Sequence, residues 1–223
     1  MAQDRLNAWK SLFRRALEII DAVAASGTRY DDWSFGGGTV LMRRFSHRAS
    51  KDVGIFVPDP QYLGYVSPRL NDKAEELTQK YLETEMSVML YFPEGEVDFI
   101  ASAPVTNDPF VVERVLGRSV RVETTAEIVG KKVLHRARGF TARDLFDLAL
   151  VSSRDPAAID AIGPILRKQR STIRERLLTG EKALRAAKAI SRLTRGRPAP
   201  CAPPRHPPAA PWSAPPAAPC RRA

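Results

Sequence analysis

FGGGTVLMRRFSHRASKDVGIF, from Phe35 to Phe56, decides how this chain is read. WSFGGG describes a short strand entering a tight turn, TVLMRRFS a helix, and DVGIFV a strand closed by Pro58 and Pro60. Consecutive glycines between a strand and a helix let backbone N–H groups approach a phosphate with no Cβ in the way, and the helix N-terminus adds a favourable dipole. The turn alone is open to two readings, a tight structural bend and a phosphate cradle. The spacing to Asp52 favours the second: a carboxylate on the neighbouring strand would stand beside bound phosphates, where a divalent metal bridges them.

Outward from this stretch the chain divides by texture. Upstream, Leu6, Trp9, Leu12, Phe13, Leu17, Ile20 and Val23 recur at three- and four-residue spacing, one face of an amphipathic helix that Gly27 stops. Downstream, a helix lies within NDKAEELTQKYLE, SVMLYF and EVDFIAS read as strands joined by PEGE, and FVVERVL and SVRVET as a further pair around Gly117. After Thr124 the pattern is helical. TTAEIVGKKVLHRARG opens on a threonine cap with an acidic first turn, TARDLFDLALVSS does the same at Thr141, and 156–193 is helical and rich in basic side chains. The expected organisation is therefore an α/β core with its N-terminal helix over 1–123, a helical region over 124–194, and a tail over 195–223.

That tail holds ten of the eighteen prolines, so it cannot sustain a hydrogen-bonded helix or bury a core, and it reads as disordered and polyproline-like. Its Pro, Ala and Arg content suits a docking ligand and equally a frame-shifted GC-rich coding sequence. Both cysteines, Cys201 and Cys220, lie in it, which excludes a disulfide framework for the fold and leaves little for a metal site. The formal net charge is +10 over 223 residues, half of it carried by the tail. A modest basic excess suits a polyanionic partner such as RNA or a nucleoside triphosphate. No run approaches a membrane span and the first residues lack a secretory apolar stretch, so the expected location is cytoplasmic, with no membrane partner.

The glycine-rich turn and the acidic strand resemble the motifs of the nucleotidyltransferase superfamily, and specifically the AbiEii/AbiGii toxin family of abortive-infection and type IV toxin–antitoxin systems. The matching residues are Gly37, Gly38 and Thr39, then His47, Arg48 and Ser50, then Asp52. EVDFIAS matches a later strand bearing a carboxylate at Asp98, and the helical motifs match at Lys132, Arg143, Asp144 and Asp147. The resemblance implies an α/β (α+β) nucleotidyltransferase fold, a short mixed sheet flanked by helices with a helical C-terminal region. It implies Mg²⁺-dependent transfer of a nucleotide from a triphosphate to an acceptor, RNA or tRNA, and a cognate antitoxin as partner. Asp52 and Asp98 would hold metal, Asp98 alternatively acting as base for the acceptor hydroxyl. Lys132 would contact the triphosphate, Asp144 would complete the site or orient that lysine, and Gly37, Gly38, Thr39, Arg48 and Ser50 would bind the nucleotide.

The sequence departs from the family pattern at Gly54, where the second aspartate of D-x-D belongs. Residues 52 and 54 share a strand face by period-two alternation, so a ligand for a hard dication is missing and activity should be impaired. The alternative is a catalytically silent protein of the same fold that binds RNA or an antitoxin. Read without the resemblance, Asp144 and Asp147 at i, i+3 describe a solvated helix face with local ion pairs, and Lys132 a surface residue. Arg43, Arg44, His47 and Arg48 form either a solvated helix end or a nucleic-acid contact. Tyr62 and Tyr65, near Arg69, suit core packing or stacking on a base. His135 has no ligand spacing.

Overall fold

The computed structural model describes residues 2–195. The chain divides into two units, Met1–Lys182 and Ala183–Ala223; in the second, the described residues are the end of the last helix. The tail expected from 195 onward lies, after its first residue, outside the described residues.

A seven-stranded mixed sheet organises the first unit. Its strands are β1 (Ser34–Gly36), β2 (Val53–Val57), β3 (Tyr81–Thr84), β4 (Ser87–Phe92), β5 (Gly95–Ala101), β6 (Phe110–Val115) and β7 (Arg118–Glu123), in the order β3-β4-β5-β2-β1-β7-β6. β2 runs parallel to β5 and β1 to β7, and the other neighbours are antiparallel. The α/β expectation holds, with α1 (Ala2–Ala25), α2 (Gly37–Phe45) and α3 (Asp72–Leu77) interleaved among the strands. Helices α4 (Thr125–Arg136), α5 (Ala142–Arg154), α6 (Pro156–Ala161) and α7 (Gly163–Arg195) follow it.

Alternation along β2 and β5 assigns the two faces of the sheet. Val53, Ile55 and Val57 and, on β5, Val97, Phe99 and Ala101 are buried against the core, where α1 packs. The stripe read from α1 is buried there at Trp9, Leu12, Phe13, Leu17, Ile20 and Val23, while the side chain of Leu6 lies outside the described residues. Phe13 and Trp9 meet Phe35 of β1 at ring-centroid distances of 4.5 and 6.1 Å. Each such aromatic burial stabilises the layer by about 2–3 kcal/mol. Gly54 and Phe56, with Glu96, Asp98 and Ile100, occupy the opposite face.

The helix expected within NDKAEELTQKYLE is α3, and one element went unread: Tyr81–Thr84 at the end of that stretch is an edge strand paired with β4. Thr78 turns the chain, its hydroxyl donating to the Tyr91 carbonyl at 2.9 Å. All four residues of this strand are exposed, so no alternation of burial marked it in the sequence. The proposed caps hold: Thr124 accepts from the Glu127 N–H at 3.2 Å, and Thr141 forms a capping box with Asp144. The Pro60–Val66 segment around Tyr62 and Tyr65 is a 3₁₀ helix; Tyr62 packs edge-on to Tyr30 and Tyr65 is exposed.

Candidate active site

The exposed face of β2 and β5, the start of α2 and one side of α4 and α5 enclose a cavity of about 740 Å³. That volume suits a nucleotide-sized ligand. Gly37, Gly38, Arg48, Ser50, Asp52, Asp98, Lys132 and Asp144 all line it, so residues spread over more than a hundred positions of sequence converge on one pocket. Gly37 takes φ +76° at the turn, and a Cβ on Gly38 would collide with the Arg48 guanidinium packed against it. Helix α2 begins at this turn with no acidic residue in its first turn and no side-chain cap, leaving its N–H groups facing the cavity end.

Thr39 departs from the expected nucleotide contact. It is fully buried and absent from the cavity wall; its hydroxyl donates to the Asp52 carbonyl at 2.5 Å and lies 3.0 Å from the Ser50 hydroxyl. Its role is to hold the approach to β2, and with it Asp52, against the start of α2.

The carboxylates fall into two groups. On the sheet, Gly54 pairs with Asp98 in the parallel register, and continuing it past Val53 and Val97 sets Asp52 and Glu96 abreast two residues earlier. Asp98 is mostly buried, its Oδ1 has no hydrogen-bond partner, and burial, reinforced by the charges of Glu96 and Asp52, pushes its pKa up to about 7. Burial and the Asp52 charge raise Glu96 as well. Glu96 was not singled out from the sequence, although the E-V-D alternation of EVDFIAS places it on the same face as Asp98.

On helix α5 both Asp144 and Asp147 are satisfied. Asp147, with a fully buried side chain, accepts from Arg48 Nε and Nη2, both at 2.8 Å, and its Oδ1 is 2.8 Å from His47 Nε2. Lys132 bridges Asp144 at 2.5 Å and Asp147 at 3.2 Å. Asp144 also accepts from the Thr141 N–H and hydroxyl at 3.1 and 2.8 Å. Burial opposes ionisation of Asp147, but the Arg48 hydrogen bonds, the Lys132 charge and His47 outweigh it and hold its pKa near 2. Asp144 is lowered in the same way, chiefly by Lys132 against its burial.

The solvated-face reading of Asp144 and Asp147 is therefore corrected, and so is the surface reading of Lys132, whose side chain is 12% exposed. The i, i+3 spacing was right; what lies opposite was invisible until α4 and the α2–β2 loop packed there. The solvated-helix-end reading of the basic patch is corrected too. His47 and Arg48 are spent on Asp147, and Arg43 and Arg44 reach Glu113 of β6 at 3.3 and 3.1 Å. Beside Lys132, Lys131 turns inward to Glu123 at 2.6 Å and Glu127 at 3.3 Å, its ammonium 4.3 Å from the Phe56 ring centroid. His135 lies 3.2 Å from the Ser102 hydroxyl.

The family model of the nucleotidyl transferase AbiEii toxin, type IV TA system, matches residues 24–209. This chain belongs to the AbiEii family. The solution structure of the antibiotic-resistance factor ANT(2'')-Ia shares its fold at a TM-score of 0.51 with 12% identity, over 77% of this chain and 99% of that one. A crystal structure of ANT(2")-Ia in complex with adenylyl-2"-tobramycin aligns at 0.48 with 14% identity, over 71% of this chain and 98% of the other. A nucleotidyltransferase-like protein from Paracoccidioides brasiliensis aligns at 0.40 with 12% identity, over 72% and 91%. No curated protein matches the AbiEii-family chain in sequence. Among its described residues no helix is long and apolar enough to cross a membrane.

Whether a divalent cation suits this AbiEii-family site is tested by its donors. Among the described residues no three His, Cys, Asp or Glu side chains converge to cage an ion. Mg²⁺, however, is commonly held by one or two carboxylates plus substrate phosphates and water. Asp52 and Asp98 on one cavity wall, with a buried, partnerless Oδ1 on Asp98, fit that mode.

Proposed function

We propose that this chain transfers a nucleotide from a nucleoside triphosphate to a hydroxyl of RNA, tRNA being the favoured acceptor. The observation that carries the reading is the convergence of the glycine turn, Asp52, Asp98 and Lys132 on one cavity. Backbone N–H groups at Gly37 and Gly38 receive the phosphates, with Arg48 and Ser50 at the same end of the cavity. Asp147 fixes the Arg48 guanidinium, and Asp144 aims Lys132, so both cations are pre-organised before a ligand arrives. Asp52 and Asp98 would hold Mg²⁺, which when bound activates the attacking hydroxyl and neutralises charge developing on pyrophosphate. Alternatively, with Asp98 outside the metal's ligands, its pKa of about 7 suits it to taking the proton of an acceptor hydroxyl near neutral pH. Exposed Arg136 and Arg143 stand at the cavity for a polyanionic acceptor. The site is that of a cytoplasmic toxin neutralised by a cognate antitoxin.

Gly54 impairs this activity by withholding one carboxylate. Space for it exists: a Cβ at residue 54 would lie 3.3 Å from Phe56 Cε2 and 3.6 Å from the Gly36 carbonyl, so only a slight shift of the ring is required. Gly54→Asp should therefore raise transfer of radiolabelled nucleotide to RNA by at least about tenfold. A variant that gains nothing over the parent refutes this account of the defect. The missing ligand also favours a second reading, a silent binder of RNA or antitoxin; triphosphate affinity that rises with Mg²⁺ supports the transferase, while Mg²⁺-independent RNA retention without triphosphate binding supports the binder.

A further inference from the structure

Asp52, Glu96 and Asp98 are set apart by what they lack. Glu113, Glu123, Glu127, Asp144 and Asp147 each stand within ion-pair distance of a basic side chain, whereas among the described residues none of these three does. All three line the same cavity. Like charges gathered on a partly dry wall repel, and a native fold retains such a group where a cation completes it. The register shows how: Val53 pairs with Val97 and Gly54 with Asp98, so Glu96 stands beside Asp52 and Asp98 beside the glycine. Where residue 54 supplies no carboxylate, the wall already carries one on the adjacent strand, on a side chain one methylene longer than aspartate.

We propose that Glu96 takes over the ligand role that residue 54 leaves vacant, holding the divalent cation of the bound triphosphate together with Asp52. The assignment rests on the nucleotidyl-transfer reading of the site. A cation brought in by the triphosphate needs no closed protein cage, because phosphate oxygens and water fill its remaining positions. Glu96 is partly exposed and free of ion pairs, so its side chain is free to swing toward the ligand. Gly54, which pairs with Asp98 on the same face, presents no side chain there.

The test is Mn²⁺ affinity of the full chain, read from the electron paramagnetic resonance of free Mn²⁺ with a non-hydrolysable nucleoside triphosphate present. Glu96→Gln is expected to weaken Mn²⁺ binding at least about tenfold with an unchanged Tm, and adding Gly54→Asp to it should return most of the loss. Glu94→Gln serves as the control for general charge, since Glu94 is engaged by Ser11 and Arg15. Parent-like affinity in Glu96→Gln, or an equal loss in Glu94→Gln, overturns the assignment and leaves the transferase reading standing. A parent chain that takes up no Mn²⁺ with the triphosphate overturns both.

Discussion

Asp98 on the sheet and Asp147 on helix α5 are the same residue type, both drawn away from water, with opposite ionisation. Asp98 is buried with two carboxylates for neighbours, the charge of Arg136 opposes them only weakly, and its pKa rises to about 7. Asp147 has Arg48, His47 and Lys132 around it, and its pKa falls to about 2. Burial disfavours the charged form in both cases; the partners decide the outcome. The difference separates two jobs within one cavity. Asp144 and Asp147 spend their charge organising the protein's own cations, while Asp52, Glu96 and Asp98 have no ion pair among the described residues.

Removing each carboxylate tests that division, and the largest effect belongs to Asp147. Asp147→Ala leaves Arg48 facing a buried void without its counter-charge and strips Lys132 of one of its two carboxylates, and should lower unfolding free energy by about 3 kcal/mol or more in urea titrations. A loss below about 1 kcal/mol would show that the cluster is not a structural clamp. Asp98→Asn should act in the opposite sense. Because its folded pKa lies above the unfolded value, the native state holds a proton that the unfolded state releases, and stability falls as pH rises from about 4 to about 7. Without divalent ions, Asp98→Asn should therefore be about 2 kcal/mol more stable than the parent at pH 8, allowing for solvent screening, and indistinguishable from it at pH 4. Lower stability of the variant at pH 8 would contradict the unpaired state of Asp98. For Asp147 the sign reverses: its contribution is present above about pH 4 and is lost as pH falls toward 2.

The smallest effect sharpens the helix side. Thr141→Ala removes the hydroxyl of the capping box and one of the hydrogen bonds to Asp144, and should cost about 1 kcal/mol. Because Lys132 remains on Asp144, Mn²⁺ affinity in the same variant should stay at the parent's value. A shift there would join the two carboxylate groups into one system.

Much of the architecture was legible because it is local. The α1 stripe, the alternation of DVGIFV and EVDFIAS and the threonine before α5 depend on residues within a turn or a strand of one another. Asp52 and Asp98 could be named together only through the resemblance to a family, since nothing local ties residues 46 positions apart. Errors fell where polarity and exposure mislead. Tyr81–Thr84 is exposed throughout and showed no period, and Asp147 and Arg48 read as solvated because they pair across 99 positions, Asp144 because its partner Lys132 comes from the preceding helix. Thr39 matched a nucleotide-binding motif and turned out to be buried beneath the turn.

By itself, the sequence determined the order of elements and the absence of a carboxylate at residue 54, because backbone propensity and residue identity are written position by position. Only the tertiary structure decided which charges cancel and which stay free. The parallel register of β2 with β5 puts Glu96 beside Asp52, and the packing of α4 and α5 over the glycine turn delivers Lys132 and Arg48 to Asp144 and Asp147. Electrostatic energy depends on distance through space and on access of water, and neither is encoded by separation along the chain.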